Sequence, residues 1–271
     1  MKDKKLLEKY KGMDGLVGRP VRLNKFELIP NEKGYAPLLF FGDIHLGYPT
    51  CDVAKAQSMI DWVIKEKAYV ILMGDLLECG TTRSIGDSAY TQTLNPQEQM
   101  ETMITMLTPL AETGRVIGLH TGNHEQRMFK DSGIDVAKVM ARILRVPYLN
   151  YACWTLLKVG KLYYTLYSSH GSSGSVMEHT KLNAVIKMSH IVRADIVAYG
   201  HTHGLDVATR ITQYVDIRSK TVQEYKTYCV LTGAFIQWDR SYGQEKGYGI
   251  PKIGSPKAKL RGDYKDVHFS L

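Results

Sequence analysis

The sequence predicts an α/β fold in which two mixed β-sheets pack face to face with helices outside them. Two observations predict it. In the first half, apolar runs that stop at a glycine and a polar residue alternate with stretches of helical periodicity. In the second half, strand-like runs come mostly in adjacent pairs around a single further helix. Alternating strands and helices build a sheet covered by helices, and the second half supplies strands for another sheet.

The elements follow in order. Residues 1–36 are charged and punctuated by Gly15, Gly18, Pro20 and Pro30, so they read as a basic N-terminal extension. "PLLFFG" (37–42) reads as a buried strand, and Ala56, Met59, Ile60 and Val63 follow at i, i+3, i+4, i+7. "AYVILMGD" is a second strand, and Met100, Met103, Ile104 and Leu107 repeat the helical spacing. "RVIGLHTGNHE" is a third strand, followed by a stripe of Val136, Ala137, Val139, Met140 and Ile143. "WTLLKVGKLYYTLYSSHG" reads as two strands around a Gly160-Lys161 turn. "TKLNAVIKMSHIV" is a helix and "ADIVAYGHTHG" a strand. "LDVATRITQYVDIRS" and "QEYKTYCVLTGAF" read as a closing antiparallel pair. From Ser241 the chain is rich in Gly, Lys and Pro and reads as a surface tail. The expected organisation is an extension (1–36), one domain (37–240) and a basic tail (241–271) packed on or near it.

Composition narrows the classes. With 271 residues, 44% apolar and 23% charged, the chain resembles a globular protein with a sizeable core. No apolar run approaches the roughly 20 residues that span a bilayer, so no membrane partner is expected. The opening "MKDKKLLEKYKG" lacks the apolar stretch of a secretory signal. Cys51, Cys79, Cys153 and Cys229 form no CxxC pair and read as reduced thiols, which points to a cytoplasmic location. The net charge of +8 suits an anionic partner, although lysine-rich ends also serve simply as solvated segments.

Five strand ends carry the chemistry. Asp43 and His45 close the first, and Asp75 closes the second with Glu78 three residues on. Asn123 and His124 close the third, His170 a fourth, His201 and His203 a fifth. Sites in such sheets gather at the carboxyl ends of strands. Carboxylate, amide and imidazole together suit divalent first-row metals better than thiolate-bound zinc. In Asp-x-His and His-x-His an extended chain would put both side chains on one face. Seven ligands exceed one tetrahedral ion and suit two ions about 3.5–4 Å apart that share a carboxylate and a water. Taken singly, His170 reads as a hydrogen-bonded loop histidine, Asp43 and Asp75 as turn or cap residues, and Asn123 as a left-handed turn residue. His120, His179, His190, His268 and Cys79 read as structural.

GD-x-H, GD-x-x-E, GNHE, a lone His-Gly and GH-x-H, in this order over residues 42–203, resemble the calcineurin-like metallophosphoesterase superfamily. The resemblance implies a four-layer αββα sandwich with a dinuclear metal centre, Mn²⁺ by default, with Fe²⁺, Zn²⁺ or Ni²⁺ as alternatives. It implies that Asp43, His45 and His203 hold one ion, that Asn123, His170 and His201 hold the other, and that Asp75 bridges them. It also implies ester hydrolysis by a hydroxide shared between the ions, with His124 as a non-ligand acid and Glu78 as the residue that orients it. Arg127 is a candidate for contacting substrate phosphate alongside Asn123, or else a solvated arginine. Glu125 is expected to support the ligands from behind.

"DIHLGY" is similar to the first motif of double-strand-break repair nucleases, and "HGSSGS" to phage or prophage members of the superfamily. With the basic charge, this favours a phosphodiesterase or nuclease acting on DNA or another nucleotide diester in a bacterial or phage-infected cytoplasm. Relatives among the nucleases often dimerise, so a homodimer is open. GNHE, where those nucleases usually have GNHD, points instead to a phosphomonoesterase such as a phage-type protein phosphatase. A non-catalytic scaffold is the third class. The loop 80–95 is expected to form part of the substrate rim through Arg83 or Tyr90, unless it only connects.

Overall fold

The computed structural model describes residues 23–84, 88–172, 174 and 176–271. The chain runs β1 (Leu23–Leu28), β2 (Tyr35–Phe41), α1 (Val53–Lys65), β3 (Tyr69–Leu72), α2 (Ser88–Thr91), α3 (Pro96–Glu112), β4 (Val116–His120), α4 (Glu125–Ser132), α5 (Val136–Ile143) and β5 (Tyr148–Asn150). It continues through β6 (Ala152–Val159), β7 (Leu162–Ser169), α6 (Glu178–Ile191), β8 (Ile196–Tyr199), β9 (Leu205–Asp216), β10 (Thr221–Thr232), α7 (Tyr242–Glu245), β11 (Lys257–Arg261) and β12 (Val267–Ser270).

These strands make two six-stranded sheets among the described residues, in the orders β12-β11-β2-β3-β4-β5 and β1-β6-β7-β8-β10-β9. In the first, β2 to β5 are parallel and β11 and β12 are antiparallel additions. In the second, β7, β8 and β10 are parallel, β6 runs against β7 but parallel to β1, and β9 runs against β10. Both sheets are therefore mixed.

Period two explains how β2 is buried on both faces. Leu38 and Phe40 join Ile71, Tyr164, Leu166, Ile196 and Val230 in the core between the sheets. Leu39 and Phe41 point the other way, onto Ile60 and Val63 of α1 and Met103 and Leu107 of α3. A third cluster packs Val185 of α6 on Val197, Cys229 and Leu231. Helix, sheet, sheet and helix thus stack as an αββα sandwich. The helices start where short polar side chains can cap them. Asp52 accepts from the Lys55 amide, and Asn95 and Glu98 form a reciprocal capping box ahead of α3.

Both ends of the chain differ from the expected layout. Residues 1–22 lie outside the described residues, but 23–28 are no extension. They form β1, parallel to β6, with Glu27 paired to Lys158 at 2.8 Å. The expected tail supplies β11 and β12. In "KAKLR" the lysines face out while Ala258 and Leu260 are wholly buried, so a two-residue alternation lies inside a run that looks merely basic. Tyr164 ties this edge down by donating its hydroxyl to Arg261 O at 2.8 Å.

Leu260→Ala is expected to cost about 2–5 kcal/mol of unfolding free energy in denaturant titration, as for a core leucine. A loss below about 0.5 kcal/mol would return the segment to the surface.

Candidate metal centre

The carboxyl ends of β2, β3 and β4 in one sheet and of β7 and β8 in the other open at the same edge of the sandwich, and their loops are tied together through the backbone. Asp43 N donates to Gly74 O at 2.9 Å and His45 N to Asp75 O at 3.0 Å. His124 N donates to Asp75 Oδ1 at 2.8 Å, and His201 N to Asp43 Oδ1 at 3.0 Å. Two carboxylates thereby serve as both site groups and hinge pins.

The expected ligands meet. Asp43, His45 and His203 form one cluster of ligand atoms that lie within 4.8 Å of one another, and Asp75, His170 and His201 form another. Asn123 Oδ1 stands 3.0 Å from His170 Nε2. His45 Nε2 and His203 Nε2 face each other at 3.0 Å, a contact that sets lone pair against lone pair unless one of the two nitrogens bears the proton. Asp75 Oδ2 is buried without a hydrogen-bond partner, yet it lies 3.1 Å from His170 Nε2, 3.8 Å from His124 Nε2 and 3.9 Å from His45 Nε2. An orphaned carboxylate oxygen ringed by imidazole nitrogens is an arrangement that cations between these groups would satisfy. The outer nitrogens are held as ligating histidines require: His170 Nδ1 against Met73 O at 2.9 Å, His45 Nδ1 against Glu78 Oε2 at 3.2 Å.

The electrostatics carry the same message. Burial pushes the Asp43 carboxyl well above its ordinary pKa, with His170 opposing and Asp75 adding to the rise. Burial pushes Asp75 the same way but is outweighed by His170 and His124, which hold it well below the carboxylate range. His170 shows the counterpart. Burial disfavours its charge, but the Asp75 carboxylate beside it lifts it to about 10. Burial, followed by the charge of other imidazoles, depresses His45 and His203 and takes His201 down to about 4. A proton on His170 thus supplies beside Asp75 the kind of positive charge that a cation would bring.

One expectation about local geometry fails. Asp43 and His45 are not on an extended strand. They have φ of +50° and +53°, Asp75 has +47°, and His201 and His203 have +63° and +54°. Left-handed backbone is uncommon outside glycine, and a cluster of it is typical of sites held in place by their surroundings. The strands stop before the motifs, so loops rather than strand alternation aim the ligands. Gly122 is required for closeness. A Cβ there would collide with Asp75 Oδ1 and the Asp75 amide.

Glu125 shows how the loop is held. Its buried carboxylate accepts from the amides of Asp75, Leu76, Leu77 and Gly122 at 2.7–3.1 Å. The motif suggested support, but the amides 48–50 residues away leave no mark in the sequence.

The remaining candidates are also placed. His124 Nδ1 lies 3.0 Å from Glu78 O and 3.1 Å from Glu78 Oε2. Burial lowers its pKa, but Asp75 and Glu78 together raise it above the ordinary imidazole value. Arg127 is not solvated. Its Nη1 donates to Glu78 Oε1 and O at 3.0 Å, and its Nη2 stands 3.0 Å from His124 Nε2. Arg83 instead faces Asp131 at 3.6 Å on the surface, and Tyr90 is 82% exposed, so the centre's network includes neither. The midpoint of that loop, 85–87, lies outside the described residues, as do 173 and 175 of "HGSSGS". His120 is a satisfied core histidine between Asn150 O and Ser168 Oγ, and none of the four cysteines is in a disulfide.

Carboxylate, amide and imidazole groups gathered in this way form a donor set suited to divalent metal ions. Residues 36–205, well over half of the chain, match the family model described as calcineurin-like phosphoesterase, and the chain belongs to that family. Its members are hydrolases of phosphoric esters and typically bind two divalent metals. Among solved structures, Yfce, a phosphoesterase from E. coli, is similar over 86% of this chain and 98% of its own, at 15% identity and a TM-score of 0.39. A predicted phosphoesterase from Streptococcus pneumoniae is similar over 87% and 88%, at 12% identity and 0.38. Zinc-complexed Vps29 from Entamoeba histolytica is similar over 86% and 97%, at 15% and 0.38. No curated protein matches the chain. No helix is long and apolar enough to cross a membrane among the described residues.

Two outcomes are expected. Asp75→Asn and Gly122→Ala should each lower bound metal after dialysis with Mn²⁺, and they should lose most of the Mn²⁺-induced rise in Tm that the parent shows. Retention of full metal content in both would contradict the clusters. The apparent Mn²⁺ affinity should also climb from about pH 6 to about pH 8 in calorimetry, because a proton bound with a pKa near 10 on His170 competes with the ion and is removed more easily as pH rises. A flat or falling profile would contradict this.

Proposed function

We infer that the protein is a dinuclear-metal phosphodiesterase acting on nucleotide phosphodiesters, DNA among them, with Mn²⁺ as the working ion. Asp43, His45 and His203 would hold one ion and Asn123, His170 and His201 the other, with Asp75 between them. The observation that carries the reading is the buried Asp75 Oδ2, which faces His170 of its own cluster at 3.1 Å and His45 of the other at 3.9 Å, with His124 beside it. Bound there, two divalent ions would supply a water acidic enough to ionise near neutrality and would offset phosphoryl charge.

The chain's own groups would do the rest. His124 keeps one proton on Nδ1, facing two oxygens of Glu78, so Nε2 is the atom that exchanges protons at the centre. Its raised pKa favours the imidazolium, the form that protonates a departing oxygen. Arg127 covers Nε2 in the structure. An anionic phosphoryl oxygen would draw that guanidinium to itself and leave Nε2 facing the leaving group. Glu78 orients both, and its own carboxyl is held far down by the two histidines against the pull of burial.

The excess of 35 Lys and Arg over 27 Asp and Glu supports a polyanionic substrate. GNHE does not weigh toward a protein phosphatase, because the Glu125 carboxylate is accounted for by the four amides it binds.

His124→Ala should keep both ions by metal analysis and lose about 10²–10⁴-fold in kcat on bis-p-nitrophenyl phosphate with Mn²⁺. Near-parental turnover would remove His124 from the chemistry. The parent should prefer this diester to p-nitrophenyl phosphate, and the reverse preference would make it a phosphomonoesterase.

A further inference from the structure

A sixth strand end opens at the same edge. β10 runs parallel to β8, and the chain leaving it passes directly behind the ligand loops. Phe235 N donates to Asp43 O at 3.0 Å and Gln237 N to Thr50 O at 2.8 Å. The chain then folds through α7 and returns, with Gly254 N donating to Ala234 O at 3.0 Å. This loop encloses a cavity of about 210 Å³ with His203 in one wall and Tyr48, Ile236, Trp238 and Tyr248 in the others. Nothing in the assignment of metal ligands or of His124 uses it.

Its chemistry is specific. Trp238 Nε1 donates to Tyr248 O at 2.7 Å, so the indole is fixed and its one donor is engaged, leaving π-surface as what it can offer. Aromatic linings receive either planar rings or cations. Lys181 also lines the cavity, but its ammonium is paired with Glu178 Oε1 at 2.9 Å. The lining itself has no carboxylate to hold a cationic guest, so a planar ring is the better match. Gln237 adds an amide able to read the edge of a heterocycle. The volume falls below the roughly 300–1,000 Å³ of sites for drug-sized ligands, so it suits one ring system and not a stacked strand.

Resting on the phosphoesterase reading, the geometry points to this cavity as the subsite for the nucleobase of the ester, stacked on Trp238 while the phosphoryl group lies across His203 at the metal centre. Trp238 is then a specificity-determining residue. The enzyme reads a single base next to the scissile phosphate, as it would in a small nucleotide ester or at a strand end.

The test compares kcat/KM, with Mn²⁺, for adenosine 5′-methylphosphate and for ribose 5-methylphosphate, which lacks the base. Stacking on an aromatic side chain should favour the first by about tenfold or more. Trp238→Ala should bring the ratio to within about twofold of unity, and Trp238→Phe, which keeps a ring face, should preserve most of it. A parental ratio near one overturns the proposal, as does a ratio untouched by Trp238→Ala. Phenyl methyl phosphate gaining as much as the adenosine ester would overturn the nucleobase in favour of a simple aryl group. If the metal-loaded enzyme hydrolyses none of these esters, the phosphodiesterase reading fails and calorimetry still judges the cavity. Adenosine 5′-phosphate binding about tenfold more weakly to Trp238→Ala supports the subsite, and equal binding overturns it.

Discussion

The Asp75 carboxylate is wholly buried, with one oxygen on the His124 amide and the other facing imidazole nitrogens of His45, His124 and His170 without a hydrogen bond. A buried charge so placed costs several kcal/mol unless opposite charge reaches it. Protons on His170 and His124, whose affinities the carboxylate raises against the effect of burial, are one source of that charge. Cations would meet the same demand and would also take the facing Nε2 atoms of His45 and His203 as ligands. The other assignments at the centre depend on this one placement.

Such a carboxylate stays in place only if its loop cannot relax. Strain and restraint are therefore found together. Asp43, His45, Asp75, His201 and His203 hold left-handed backbone, and against that tendency stand the ties between the loops and the Glu125 carboxylate on four amides. Behind these lies the four-layer sandwich, whose double-sided burial of β2, β3 and β4 fixes the strand ends from which the loops depart. The same edge also presents the cavity behind His203, so the groups that would bind phosphorus and the groups that would choose the ester's organic part share one rigid support.

Much of this was legible in the sequence because it is local. Apolar runs that stop at Gly-Asp or Gly-Asn mark the strand ends, and Asp-x-His and His-x-His mark residues that meet in the clusters. The pair of sheets follows from the order of strands and helices. What escaped was non-local or disguised. The alternation in "KAKLR" was hidden by its lysines, and β1 was hidden by exposed Lys25 and Glu27. Strand periodicity wrongly implied that Asp43 and His45 share the face of an extended chain, since nothing in the residues announces a positive φ. Arg127 read as either a phosphate contact or a solvated arginine, and its partner Glu78 was missed because it is 49 residues away. Trp238 carried no signal at all. Its meaning comes from Tyr248 across a loop and from His203 across the sheet.

Anomalous diffraction from crystals grown with Mn²⁺ tests the central claim most directly. Two peaks about 3.5–4 Å apart are expected, both within coordination reach of Asp75, one also bound by Asp43, His45 and His203, the other by Asn123, His170 and His201. A single peak, or a pair in which Asp75 touches only one ion, would contradict the account.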